Sequence, residues 1–151
     1  MLFRSARRKV PGIHILTGAE VDILEDGRLY LPDDALTQLD WIVASIHQHF
    51  RQSREAATER LLRAIRHPSV CVIGHPTTRM VGKRPPIEFD MEAVLREAAK
   101  QKVAMEMSAS PERLDLSDVH GRQAKELGVL LCINSDAHSI KIGRASCRER
   151  V

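Results

Sequence analysis

The feature that most constrains this chain is a rhythm. Five short apolar runs, at 13–24, 40–47, 69–76, 103–110 and 129–138, are separated by stretches with helical periodicity. Each run has the length of a strand and is rich in β-branched residues. Between them, 53–67 places Ala57, Leu61, Ala64 and Ile65 on one face, with Ser53 as the N-cap. The stretch 90–102 spaces Met91, Val94, Leu95 and Ala98 at helical intervals behind Asp90. A third, 117–128, opens on a cap residue and closes on Gly128, and a short helix or turn is expected near Pro32–Asp34. Strand and helix alternating about every 30 residues imply βα units and a parallel sheet, hence an α/β fold.

An open doubly wound sheet fits that rhythm too. The polar residues favour a barrel, whose C-terminal strand ends converge on one mouth. The first run passes through Glu20, the second stops at His47, the third at His75, the fourth contains Glu106, and the fifth stops at Asp136 and His138. Taken singly, a histidine at a strand end is more often a turn or cap residue. The recurrence at successive ends is what argues for a metal site. Of these, Glu20, His47, His75, Asp136 and His138 make a set of three imidazoles and two carboxylates, which suits Zn²⁺, Mn²⁺ or Fe²⁺ and is too rich in nitrogen for Mg²⁺ or Ca²⁺. His67 and His120 fall on helices or their ends and read as solvated, His49 as a surface residue and His14 as structural.

Composition removes other classes. Apolar residues make up 43% of the 151 and aromatics 3%, enough for an aliphatic core and too few for a base-stacking platform. Cys71, Cys132 and Cys147 show no CxxC spacing; the first two lie in apolar runs and are expected as small core residues. No run is long enough to span a membrane and no secretory signal is seen, so a cytoplasmic protein is expected. The stretch 142–151, "IGRASCRERV", carries Arg144, Arg148 and Arg150 against Glu149 and supplies most of the formal +3. It has no periodicity and is expected to be an adapter-derived, non-native tail, leaving 1–141 as the domain. The charge therefore gives no argument for nucleic-acid binding.

The segments "GAEVDIL", "LDWIVASIHQHF", "VIGHPTTR" and "SASPERLDLSDVHGRQAKELGVLLCINSDAHS" resemble, in order and spacing, consecutive motifs of the PHP (polymerase and histidinol phosphatase) domain. The nearest likeness is to the PHP domain of bacterial family X DNA polymerases, over about Pro11 to Ser139. The resemblance implies a distorted (βα)7, TIM-like barrel with up to three Mn²⁺ or Zn²⁺ ions at its mouth. It implies that Glu20, His47, His75, Asp136 and His138 are metal ligands, that Glu20, His75 and Asp136 are catalytic, and that Arg79 and Arg113 face phosphate. The activity implied is a 3′-to-5′ exonuclease acting on DNA 3′ ends, with a histidinol-phosphatase-type enzyme taking a small phosphate monoester as the alternative.

The chain also departs from that pattern. The family's opening HxH motif and two further histidines have no counterpart here, and Ser108 stands where the family usually has Asn. The chain therefore reads as a partial barrel, lacking N-terminal strands and the C-terminal end, with weak or no activity by itself. A site lacking ligands binds metal less tightly, so a non-catalytic module is the reading from a different class.

Overall fold

The computed structural model describes residues 12–138. The expected tail at 142–151 and the boundary at 141 lie outside them. Five strands, β1 (Gly18–Asp22), β2 (Trp41–Ser45), β3 (Val72–Ile73), β4 (Ala104–Ser108) and β5 (Leu131–Asn134), form one sheet. They alternate with helices α1 (Asp33–Leu36), α2 (Arg54–Ile65), α3 (Met91–Gln101) and α4 (Asp118–Glu126). Every pairing is parallel, and the strand order follows the chain, β1-β2-β3-β4-β5. A doubly wound sheet reverses its order at a switch point, whereas a barrel keeps it sequential. The fold is α/β and compatible with a partial TIM-like barrel. Among the described residues β1 and β5 are the two edges and do not pair, so no closed barrel is seen.

The register explains how an apolar chain collects polar groups. One row across the sheet, Val21–Ala44–Ile73–Met105–Leu131, is entirely apolar. It packs into the core with Leu61 and Ile65 of α2 and Leu95 and Ala98 of α3. Residues one step along each strand point to the other face. There the register sets Asp22 beside Ser45 and Glu106 beside Cys132, with Glu20 two residues before Asp22. One face is thus sealed by helices and the other carries the chemistry.

The helices begin where cap residues allow. Ser53, Asp90 and Ser117 each accept the N–H three residues on, satisfying one of the orphan donors of the first turn. Gly128 follows α4 at φ +74°, the left-handed conformation a C′ glycine takes without strain.

The strands are shorter than the apolar runs. The first begins only at Gly18, and His14 before it is exposed rather than structural. The third is two residues long because the chain turns out of the sheet at His75, φ +27°. Cys71 and Cys132 are half-buried and stand outside the core cluster. Among the described residues no helix is long and apolar enough to cross a membrane.

Candidate metal centre

Three side chains from three adjacent strands meet at the C-terminal end of the sheet. Glu20 comes from β1, His47 stands two residues past β2, and His75 two residues past β3. The Oε1 of Glu20 lies 3.1 Å from Nε2 of His75 and 3.4 Å from Nε2 of His47. One donor atom from each of the three falls within 4.8 Å of the others. The imidazoles meet edge to face, their centroids 5.2 Å apart. His75 is 2% exposed, while Glu20 and His47 open to solvent.

Neighbouring groups hold the rings in place. Asp22 places Oδ1 2.5 Å from Nδ1 of His47, on the far side of the ring from Glu20. A carboxylate in that position fixes the tautomer that leaves Nε2 free to bind a cation. His75 is held through its backbone. Its N–H donates to Oε2 of Glu106 at 2.5 Å, and Asn134 Nδ2 donates to the other oxygen at 2.7 Å. The left-handed φ at a non-glycine residue is sparsely populated, and the Glu106 contact helps hold it there.

The electrostatics follow from this geometry. Hydrogen bonds to His47 and then His75 hold the Glu20 carboxyl far below the usual carboxylate range. Glu20, with Asp22 behind it, pushes His47 up to about 9 against the opposing effect of burial. Burial pushes Glu106 and Asp115 up. Without a cation, the cluster is an anionic carboxylate bridging two imidazoles.

The donors fit a divalent transition metal. Two imidazole nitrogens and a carboxylate oxygen converge, and one imidazole carries a carboxylate behind it. The three form a candidate metal-binding triad.

The other expected ligands stand elsewhere. Asp136 and His138 are not part of the triad. His138 Nδ1 lies 2.7 Å from the carbonyl of Asp136, and its side chain is 84% exposed. Asp136, at φ +49°, turns an oxygen toward Nε of Arg113 at 3.6 Å. Arg79 uses Nε and one terminal nitrogen on the carbonyls of Arg113 and Leu114, so most of its fork is taken up by the chain itself. Arg113 keeps a buried Nη1 with no hydrogen-bond partner. His49 is exposed beside Glu25, His67 lies by Asp33, and His120 is half-buried.

Sequence reading passed over Asp22 and Arg60. Asp22 had a signal: it lies two residues after Glu20, on the same strand face. Arg60 had none, since a charged residue on a helix is ordinarily solvated; here it is 3% exposed.

Comparison with known proteins points the same way. The chain is 43% identical over 128 residues to the DNA polymerase/3′-5′ exonuclease PolX of Bacillus subtilis, covering 85% of this chain and 22% of that protein. It is 35% identical over 141 residues to a probable phosphatase of Photobacterium profundum, covering 87% of this chain and 54% of that one. With a probable phosphatase of Caldicellulosiruptor bescii it shares 31% identity over 153 residues, 95% of this chain and 61% of the relative. No protein-family model matches the chain. The chain thus spans about a fifth of the polymerase and just over half of the phosphatases, and these similarities support a PHP-like relative with a phosphoesterase-type function.

Proposed function

We propose that this chain is the metal-binding part of a PHP-type phosphoesterase, of the 3′-to-5′ exonuclease kind found beside a family X polymerase. The observation that carries the reading is the convergence of Glu20, His47 and His75 at the ends of three adjacent parallel strands. In this reading the three would hold Mn²⁺ or Zn²⁺, with Asp136 and His138 as further ligands. A bound divalent cation would polarise a phosphoryl oxygen and lower the pKa of a coordinated water. The protein's own part is to orient. Asp22 fixes the His47 ring, Glu106 fixes the backbone of His75, and Arg113, with the remaining nitrogen of Arg79, faces the phosphate. The substrate is a DNA 3′ end and the protein acts in the cytoplasm.

The names of the phosphatase relatives favour a second reading, a small phosphate monoester as substrate. One experiment separates these. The 151-residue chain is titrated with Mn²⁺ and with Zn²⁺ by calorimetry, and the loaded protein is offered a 3′-labelled oligonucleotide and histidinol phosphate. The expected result is metal binding, a rise in Tm on loading and slow release of 3′ nucleotides, each lost in His75→Ala. Cleavage of histidinol phosphate alone would select the phosphatase. Absence of metal binding and of any Tm gain would leave a non-catalytic module.

A further inference from the structure

Arg60 is a buried charge that the site chemistry leaves unused. It projects from α2, is 3% exposed, and among the described residues makes no ion pair. Its Nη1 lies 3.2 Å from the carbonyl of Gln48, 3.1 Å from that of His49 and 3.1 Å from Oε1 of Gln52. Its Nη2 donates to the carbonyl of Ile23 and, at 3.2 Å, to that of Gln48. Gln52 in turn donates to the carbonyl of Glu25 at 3.1 Å. Taking a guanidinium out of water onto neutral carbonyls is costly, so the contacts it makes there have to be good ones.

The carbonyls are specific in their placement. Ile23 follows Asp22 in the chain, and Gln48 follows His47. The guanidinium therefore ties the end of β1 to the loop after β2 at the point where Asp22 meets His47 at 2.5 Å. We propose that Arg60 is a positioning residue of the metal centre: its planar fork fixes the backbone on both sides of the Asp22–His47 contact and so holds Nε2 of His47 toward Glu20. Only arginine offers five donors in a rigid plane, and the single point of a lysine ammonium cannot reach three carbonyls on two segments with the same geometry. This inference rests on the reading of Glu20, His47 and His75 as metal ligands.

The test compares Arg60→Met, which keeps much of the apolar stem, with Leu61→Ala, which opens the core in the same turn of α2. Two readouts are taken on the full 151-residue chain: Mn²⁺ affinity, and the His47 ring ¹⁵N shifts of the metal-free protein. Arg60→Met is expected to lower the affinity about tenfold or more, the range for losing a group that orients a ligand, and to move the His47 signals away from their wild-type, Asp22-bonded positions. Leu61→Ala is expected to leave both in place while lowering Tm. Arg60→Lys falls between, and carries the test if the methionine variant does not fold. Unchanged affinity and unchanged His47 signals in the arginine variants, or an equal loss in Leu61→Ala, would overturn the proposal. A wild-type chain that takes no Mn²⁺ would instead refute the metal reading, while the His47 signals would still decide the role of Arg60.

Discussion

Gly74 offers a sharp test of the packing behind the metal centre. It sits on the polar face of the sheet, immediately before His75. A Cβ built there lies 2.3 Å from Oγ of Ser45, 2.9 Å from Cγ1 of Val43 and 3.6 Å from Oε2 of Glu106. The first distance is far inside van der Waals contact, and Ser45 is fully buried with little room to retreat. Gly74→Ala is therefore expected to cost about 1–3 kcal/mol, the usual range for overpacking. At this chain length that lowers Tm by roughly 2–12 °C. Ser45→Ala removes the closest atom. The remaining approach, 2.9 Å to Cγ1 of Val43, still requires that one side chain to shift. The double variant Gly74→Ala/Ser45→Ala should then recover more than half of the loss, with a coupling of about 1 kcal/mol in a double-mutant cycle. Urea unfolding followed by circular dichroism measures all four corners. Because the displaced backbone leads directly into His75, Gly74→Ala should also weaken Mn²⁺ binding. A stability change within about 0.5 kcal/mol, or strict additivity with Ser45→Ala, would refute the reasoning.

Three further outcomes are expected. Asp22→Asn should weaken divalent-metal affinity about 10–100-fold with the circular dichroism spectrum unchanged; calorimetry reads it, and undiminished affinity would remove Asp22 from the site. In the metal-free chain, His47 is raised from 6.5 to about 9 by Glu20 and Asp22. Its contribution to stability is therefore fully present below pH 6.5 and is lost as the pH rises through 9. Glu20, depressed below 4.5, contributes above that pH and loses its contribution as the medium becomes more acidic. Tm measured in chelator should fall between pH 6.5 and 9, and His47→Gln should flatten that limb. Leu61→Ala, at a position with no exposure in the centre of the core, should cost about 2–5 kcal/mol by denaturant unfolding; a smaller loss would mean that α2 is not packed as described.

What the sequence by itself determined is whatever depends on near neighbours in the chain. Ser53, Asp90 and Ser117 start helices because a side-chain oxygen reaches an N–H three residues on. The alternation of strand and helix follows from apolar periodicity, and the gathering of Glu20, His47 and His75 follows once successive strands run parallel and end on one side. What only the tertiary structure decided depends on register and on distance. The strands are shorter than the apolar runs because pairing, not hydrophobicity, ends them; β3 stops at Ile73 where the chain turns at His75. Asp136 and His138 share the fifth run with β5, yet stand outside the triad, since sequence position places a residue at a strand end without setting where its side chain points. Arg60 looks like any solvated helix cation until the fold brings α2 beside the segments that follow β1 and β2 and turns its guanidinium onto three carbonyls far away in sequence. Local chemistry writes the elements; the partners of a buried charge exist only once those elements have packed.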